Sequence, residues 1–223
     1  MRGIEFQEQI SLNLELSSGE PMSYNLAHRV IKYLEAEGCN PGDLSIDCTG
    51  SQRMIADIID QEWLKTHQGD DSVHKKVYRV NFSEAASDLP VSPDDPTPSS
   101  ELYKNKVTEL WYVAREFARG DQLRGIGNEA IDQFCSRELL PDVGRKICVE
   151  SKSEMKKRTG GKSPDEADSI VVGLEYARHI MACVPGQGAA VSRASVTVEE
   201  INRQDLECTE LYSEGEMDWP MAI

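Results

Sequence analysis

The sequence predicts an α/β domain in which helices flank a mixed β-sheet. Short apolar or alternating runs take turns with longer stretches whose apolar residues recur at helical spacing. The resulting order of strand, helix, strand, helix, strand and then helices is that of α/β folds. Strands joined through helices imply parallel pairing, while one strictly alternating run implies a half-exposed antiparallel edge, so the sheet is mixed.

The alternating run is residues 10–16, Ile10-Ser11-Leu12-Asn13-Leu14-Glu15-Leu16, possible to extend back over residues 3–6. Ser17-Ser18-Gly19-Glu20-Pro21 breaks it. Leu26, Ala27, Val30, Ile31 and Leu34 then share a helical face, and Gly38 stops that helix. Residues 44–48 are short and largely apolar, as a central strand is. A second helix opens at Gly50-Ser51 with Met54, Ile55, Ile58, Ile59 and Trp63 on its apolar face. Val77, Val80 and Phe82 mark a further strand.

Residues 83–100 carry Pro90, Pro93, Pro96 and Pro98 among Ser and Asp and read as a loop. A long helix is predicted from Glu101, with Leu102, Val107, Leu110, Trp111, Ala114 and Phe117, and a short one over 127–137. Residues 145–150 read as a strand. Ser163-Pro164 starts a last helix bearing Ile170, Val171, Leu174 and Ala177. The predicted domain is 1–184. Residues 185–223 hold eight acidic residues against two arginines and read as an acidic, flexible tail.

The composition excludes several classes. No apolar run is long enough to span a bilayer, and no apolar stretch follows Arg2 as in a signal peptide, so a soluble cytoplasmic protein is expected. The six cysteines form no Cys-x-x-Cys pair and are read as reduced thiols. His28, His67, His74 and His179 show no ligand spacing. No Gly-x-Ser-x-Gly elbow supports an acyl-transfer hydrolase. A net charge of −15 argues against a nonspecific nucleic-acid binder, though local patches decide where phosphate sits.

Three constellations can carry chemistry. Asp47 ends a predicted parallel strand before Thr49-Gly50, at the sheet edge where α/β folds bind ligands; it also suits a plain helix cap. Asp165, Glu166 and Asp168 open the last helix, where acids are favourable against the helix dipole, and Asp165 and Asp168 can share a face. Lys152, Lys156, Lys157, Arg158 and Lys162 form the densest basic stretch, next to Gly160-Gly161. Cations beside metal-binding carboxylates are what a phosphodiester requires; the same stretch also suits a solvated loop. Gly161-Lys162-Ser163 is no phosphate loop, because Lys156 stands where the earlier glycine belongs.

The chain resembles the C-terminal nuclease domain of tailed-phage terminase large subunits, of the RNase H and retroviral-integrase type. The resemblance spans about residues 3–182 and rests on three stretches: residues 44–50; residues 103–111 with Asn105-Lys106 and Trp111; and residues 149–168, which combine Glu150-Ser151-Lys152, Met155-Lys156-Lys157-Arg158 and Ser163-Pro164-Asp165-Glu166-Ala167-Asp168. It implies an RNase H-like sheet and a two-metal endonuclease using Mg or Mn to cut concatemeric double-stranded DNA during virion assembly in the host cytoplasm. It further implies Asp47 as second catalytic acid and metal ligand and Asp168 as the last; Asp165 lies near enough to assist as a ligand, and the basic stretch of Lys152, Lys156, Lys157, Arg158 and Lys162 is expected to bind DNA. The implied partners are the terminase ATPase domain, the small terminase subunit and the portal protein. The family's first acid, on an opening strand, has no counterpart here, and neither has the ATPase half. Glu5 and Glu8 are the early acids without a motif. The chain is therefore expected to fold but to cut DNA poorly by itself. The competing readings are a Holliday-junction resolvase and an inactive RNase H-like docking module.

Overall fold

The structure, a computed structural model, describes residues 3–7, 10, 12, 19–50, 52–67, 75–143 and 145–186. Most of the alternating 10–16 stretch and nearly all of the acidic 185–223 segment lie outside the described residues. Within them the chain is mixed α/β, as its patterning predicts. None of the described helices is long and apolar enough to cross a membrane.

Among the described residues the strands form three two-stranded ladders. Strand β1 (Ile4–Glu5) pairs in parallel with β4 (Leu123–Arg124), and β2 (Ser45–Asp47) in parallel with β3 (Tyr78–Val80). Strand β5 (Leu139–Val143) pairs antiparallel with β6 (Lys146–Val149). A parallel bridge joins Tyr103 to Ile147 on the other side of β6. Only β3 pairs with β2 among the described residues, and all three β2 residues are partly exposed. Strand β2 packs against β3 and against the helices Gln52–Thr66 and Asp165–His179.

Helix α1 (Met22–Ala36) and α2 (Gln52–Thr66) pack on each other through Ala27, Ile31, Leu34, Ala56, Ile59 and Trp63. Gly38 ends α1 at φ +67, a left-handed conformation that costs glycine nothing. The larger core gathers around α4 (Lys106–Arg119) and α7 (Asp165–His179), with Leu110, Val113, Phe117, Val171 and Leu174 sealed from solvent. Each such side chain is worth roughly 1.5–3 kcal/mol of burial. Helix α7 is buried on most of its faces and packs against α4, α5 (Asn128–Ser136), β2 and β3. A helix buried on most of its faces is an interior helix, although α7 carries charged residues among them, Asp168 and Glu175.

Two helix boundaries depart from the sequence expectation. The long helix starts at Lys106 rather than Glu101. Asn105 caps it, its Oδ1 accepting from the Thr108 backbone N–H at 3.1 Å. Residues Ser99–Leu102 form a separate turn, α3. The basic stretch, weighed above as a solvated loop, is a short helix, α6 (Lys152–Arg158). It begins with a capping box: the Glu154 N–H donates to Ser151 Oγ at 3.2 Å, and the Ser151 N–H donates to the Glu154 carboxylate at 2.9 Å.

The Pro-rich 83–100 segment is a loop fastened to both central helices. The N–H and Oγ of Ser87 donate to Glu109 of α4, each at 2.7 Å, and Arg178 of α7 donates to the Pro90 carbonyl at 2.6 Å. The five described cysteines are free thiols.

Candidate active site

Three segments deliver carboxylates to one cleft of about 420 Å³. Strand β2 ends on Asp47, β6 runs out into Glu150, and the first turn of α7 presents Asp168; all three side chains line the cleft. Strand ends and a helix start converge there because α7 packs across β2 while α4 holds β6. That second tie is specific: the Val149 N–H donates to Thr108 Oγ1 at 3.1 Å, and Thr108 is fully buried. Asn105, Arg137, Lys152 and Glu154 line the same cleft.

Asp47 has both a local and an outward role. Its Oδ1 accepts from the Thr49 N–H at 2.8 Å, closing the turn that leads toward α2, while Thr49 Oγ1 accepts from the Phe82 N–H at 2.9 Å. This bond closes a local turn and does not cap α2, which begins at Gln52. No hydrogen bond to the other oxygen of Asp47 is made among the described residues.

Asp168 is 6% exposed, and both of its oxygens meet cations. Arg137 Nη1 lies 3.4 Å from Oδ1, and Lys152 Nζ lies 3.0 Å from Oδ2. The same ammonium is 2.7 Å from Asp165 Oδ1, so Lys152 bridges the two acids that share the start of α7. Burial pulls the Lys152 pKa down, yet the hydrogen bonds to Asp165 and Asp168 outweigh it and hold the ammonium above its usual range. Burial likewise pushes Asp165 up, and its hydrogen bonds to Lys152 and Ser163 bring it below the usual carboxylate value.

Glu150 is buried and neutralised by Arg158: Nε lies 3.4 Å from Oε2, and Nη2 makes a short contact to Oε1. Its Oε1 also accepts from the Glu138 N–H at 2.9 Å. Arg137 lies between the two acids, its Nε donating to the Glu150 carbonyl at 3.1 Å and its guanidinium stacked 4.6 Å over the Trp111 ring. Burial draws the Arg137 pKa below its usual value, against the pull of Asp168 and Glu150.

The structure thus brings Asp47, Asp168 and Lys152 of the predicted site residues to one cleft. Asp165 does not line it and reaches it only through Lys152. Lys156, Lys157 and Lys162 are exposed around the end of α6, whereas the Arg158 guanidinium is engaged with Glu150, Glu138 and the Ser136 carbonyl. Glu5 sits on β1, which pairs with β4, and does not line the cleft; Glu8 lies outside the described residues. Sequence reasoning missed Arg137 and Glu150 as members of the site. Glu150 had a signal, an acid directly after a strand and before Lys152. Arg137 had none, being a single arginine at the end of a short helix.

The donor set, carboxylate oxygens in an open cleft, has the chemistry of a hard divalent cation. Among the described residues no three His, Cys, Asp or Glu side chains are grouped closely enough to hold one. Arg158 is paired with Glu150, and Lys152 and Arg137 with Asp168.

No family model matches the sequence, and no curated protein matches it. Among solved structures, the chain is similar to the nuclease domain of the large terminase subunit gp2 of bacterial virus Sf6, with 17% identity over 68% of this chain and 71% of that one, at a TM-score of 0.46. A mutant of that domain with manganese matches at 16% identity, 70% and 75% coverage and a TM-score of 0.45. A mutant with calcium matches at 17% identity, 68% and 71% coverage and a TM-score of 0.48.

Proposed function

We propose that this chain is an RNase H-like nuclease domain of a viral DNA-packaging terminase, a divalent-metal-dependent endonuclease acting on double-stranded DNA. One observation carries the reading: Asp47, from the end of β2, and Asp168, from the first turn of α7, line the same cleft beside Lys152 and Arg137. Carboxylates that far apart in sequence need no common cleft for stability; a metal-bound phosphodiester does.

Asp47 and Asp168 would hold Mg or Mn. When bound, such ions activate water and stabilise the leaving oxygen of a phosphate. The chain's own groups do the rest. Asp47 keeps one oxygen on the Thr49 N–H, which fixes its rotamer and leaves the other for a ligand. Arg137 keeps Asp168 in place from beneath. Lys152, partly exposed on a flexible stem, is the cation that can leave Asp168 and meet a phosphate instead. Exposed Lys156, Lys157 and Lys162 extend a cationic rim along which a DNA backbone can lie. The terminase ATPase domain, small subunit and portal are the partners this reading supplies, and the host cytoplasm is its place of action.

The test is metal-dependent stabilisation. Magnesium or manganese at millimolar concentration should raise the melting temperature, and Asp47→Asn or Asp168→Asn should reduce the shift. Manganese-dependent plasmid nicking by this chain should be slow, because the family's first acid has no counterpart here, and both substitutions should abolish it. An absent shift, or one that both variants retain, would overturn the reading in favour of a docking module without catalysis.

A further inference from the structure

The feature of this cleft that metal-binding carboxylates do not explain is the guanidinium of Arg137. Its side chain is 3% exposed and follows directly on α5. A guanidinium carries five N–H donors in a rigid plane. Nε is spent on the Glu150 carbonyl at 3.1 Å, and Nη1 reaches Asp168 Oδ1 at 3.4 Å, beyond the usual range for such a bond. No hydrogen bond from Nη2 is made among the described residues. The sealed side-chain atoms lacking a partner are Trp63 Nε1, Trp111 Nε1 and Glu175 Oε2; Nη2 is not one of them, and Arg137 lines the cleft. Among the described residues its remaining donors therefore lack a partner and are not sealed.

Stacking on Trp111 and the bond to the Glu150 carbonyl fix the plane of this guanidinium before any ligand arrives. A desolvated fork with spare donors is built for the oxygens of a phosphate, which it meets without losing rotamer freedom. We infer that Arg137 forms a phosphate subsite in the cleft, donating from Nη2 to a non-bridging oxygen of the substrate phosphodiester. This deepens the nuclease reading and rests on it for the substrate.

The charges facing the subsite set its conditions. Asp47, Glu150, Glu154 and Asp168 line the cleft against Arg137 and Lys152. Glu150 is held by Arg158, and Glu154 by the Ser151 N–H, but acids still exceed cations. A phosphate is therefore bound weakly until a divalent cation offsets the excess, and more tightly afterwards.

The test uses the full chain labelled with 15N-arginine. The probe is a dinucleotide of two thymidines joined by a single phosphodiester, with its uncharged methylphosphonate analogue as control, each with and without magnesium. The Arg137 Nε–H signal is recognised by its proximity to the Trp111 ring, so no variant is needed to read it. With magnesium, the charged dinucleotide should shift that signal and the methylphosphonate should not. Arg137→Lys, which keeps the charge but loses the fork, should bind the charged dinucleotide roughly tenfold or more weakly, as expected for a lost charge-assisted hydrogen bond. A silent Arg137 signal alongside magnesium-dependent stabilisation would overturn this subsite and leave the nuclease reading intact. A responding signal without any magnesium-dependent stabilisation would keep the subsite and remove the metal reading. Equal binding of the charged and uncharged dinucleotides would also overturn it.

Discussion

Lys152 Nζ stands 3.0 Å from Asp168 Oδ2, on the face of that carboxylate that Arg137 leaves open. A divalent cation approaching Asp168 must compete with this ammonium. Lys152→Ala should let manganese stabilise the chain at lower concentration, by several-fold, while lowering activity if the lysine meets phosphate in the reaction. Titrating manganese against melting temperature in both proteins checks it. A higher manganese requirement in Lys152→Ala would show instead that the lysine orients the carboxylates for the metal.

The basic stretch divides by geometry. Lys156, Lys157 and Lys162 project into solvent, while Arg158 is committed to Glu150. Replacing the three lysines with Ala should flatten the salt dependence of DNA binding by about 0.9 in logarithmic slope per lost phosphate contact. Arg158→Ala should act on stability instead, because it leaves Glu150 buried and uncompensated, at a cost on the order of 2–3 kcal/mol. Fluorescence anisotropy at several salt concentrations, paired with urea melts, separates the two. An unchanged slope in the triple variant would place the DNA track elsewhere.

The helices were legible because their apolar residues repeat every turn over many residues: Ile55, Ile58, Ile59 and Trp63 leave little choice for α2. Strands β4 and β5 were missed because a few residues, such as Leu123-Arg124, carry no period to detect. The start of α4 was misplaced because Leu102 looks like part of its apolar stripe, while Asn105, a good cap, was passed over. That Asp47 and Asp168 stand at a strand end and a helix start, and can line one cleft, was legible from their place in the sequence pattern. The place of Arg137 in the cleft was not, because it comes from where Trp111, Glu150 and Asp168 meet around it, and that meeting is tertiary.

Burial raises the pKa of Tyr78 to about 12, with Glu175 adding to the shift. Its ring lies edge-on to Tyr176, 5.6 Å between centroids, where β3 meets α7. The unfolded chain ionises this phenol near ~10. Its contribution to stability is therefore complete below that pH and is lost as pH rises from about 10 toward 12. Tyr103 and Tyr112 are raised by burial in the same direction. Tyr78→Phe should lessen the alkaline loss without changing the profile at neutral pH. Urea midpoints measured across that range would contradict the assignment if the two proteins lost stability in parallel.

Beneath the cleft, α4 and α7 are joined by charges rather than by apolar contact alone. Lys106 Nζ lies 3.2 Å from Glu109 and 2.5 Å from Glu175, and Arg178 Nη1 lies 2.9 Å from Glu109 and 3.6 Å from Glu175. Glu109 and Glu175 are almost wholly buried. Burial alone would raise the pKa of Glu109, but Lys106, the hydrogen bonds from Ser87 and the one from Arg178 together bring it below the usual value. The unfolded chain then takes up this proton more readily than the folded one. The stabilisation is present at neutral pH and disappears as pH falls below ~4.3 and through the folded-state value. Lys106→Met should cost about 3 kcal/mol, since it strands Glu175 with only His179 and a distant Arg178. In a chain of this size that is a fall of roughly 6–12 °C in melting temperature. The double change Lys106→Met with Glu175→Leu should cost less than Lys106→Met alone, because an apolar pair needs no compensation where a lone carboxylate does. If the second substitution instead adds its full cost to the first, the two side chains are not coupled, and α4 and α7 are held together by Leu110, Val113, Val171 and Leu174 without help from the charges between them.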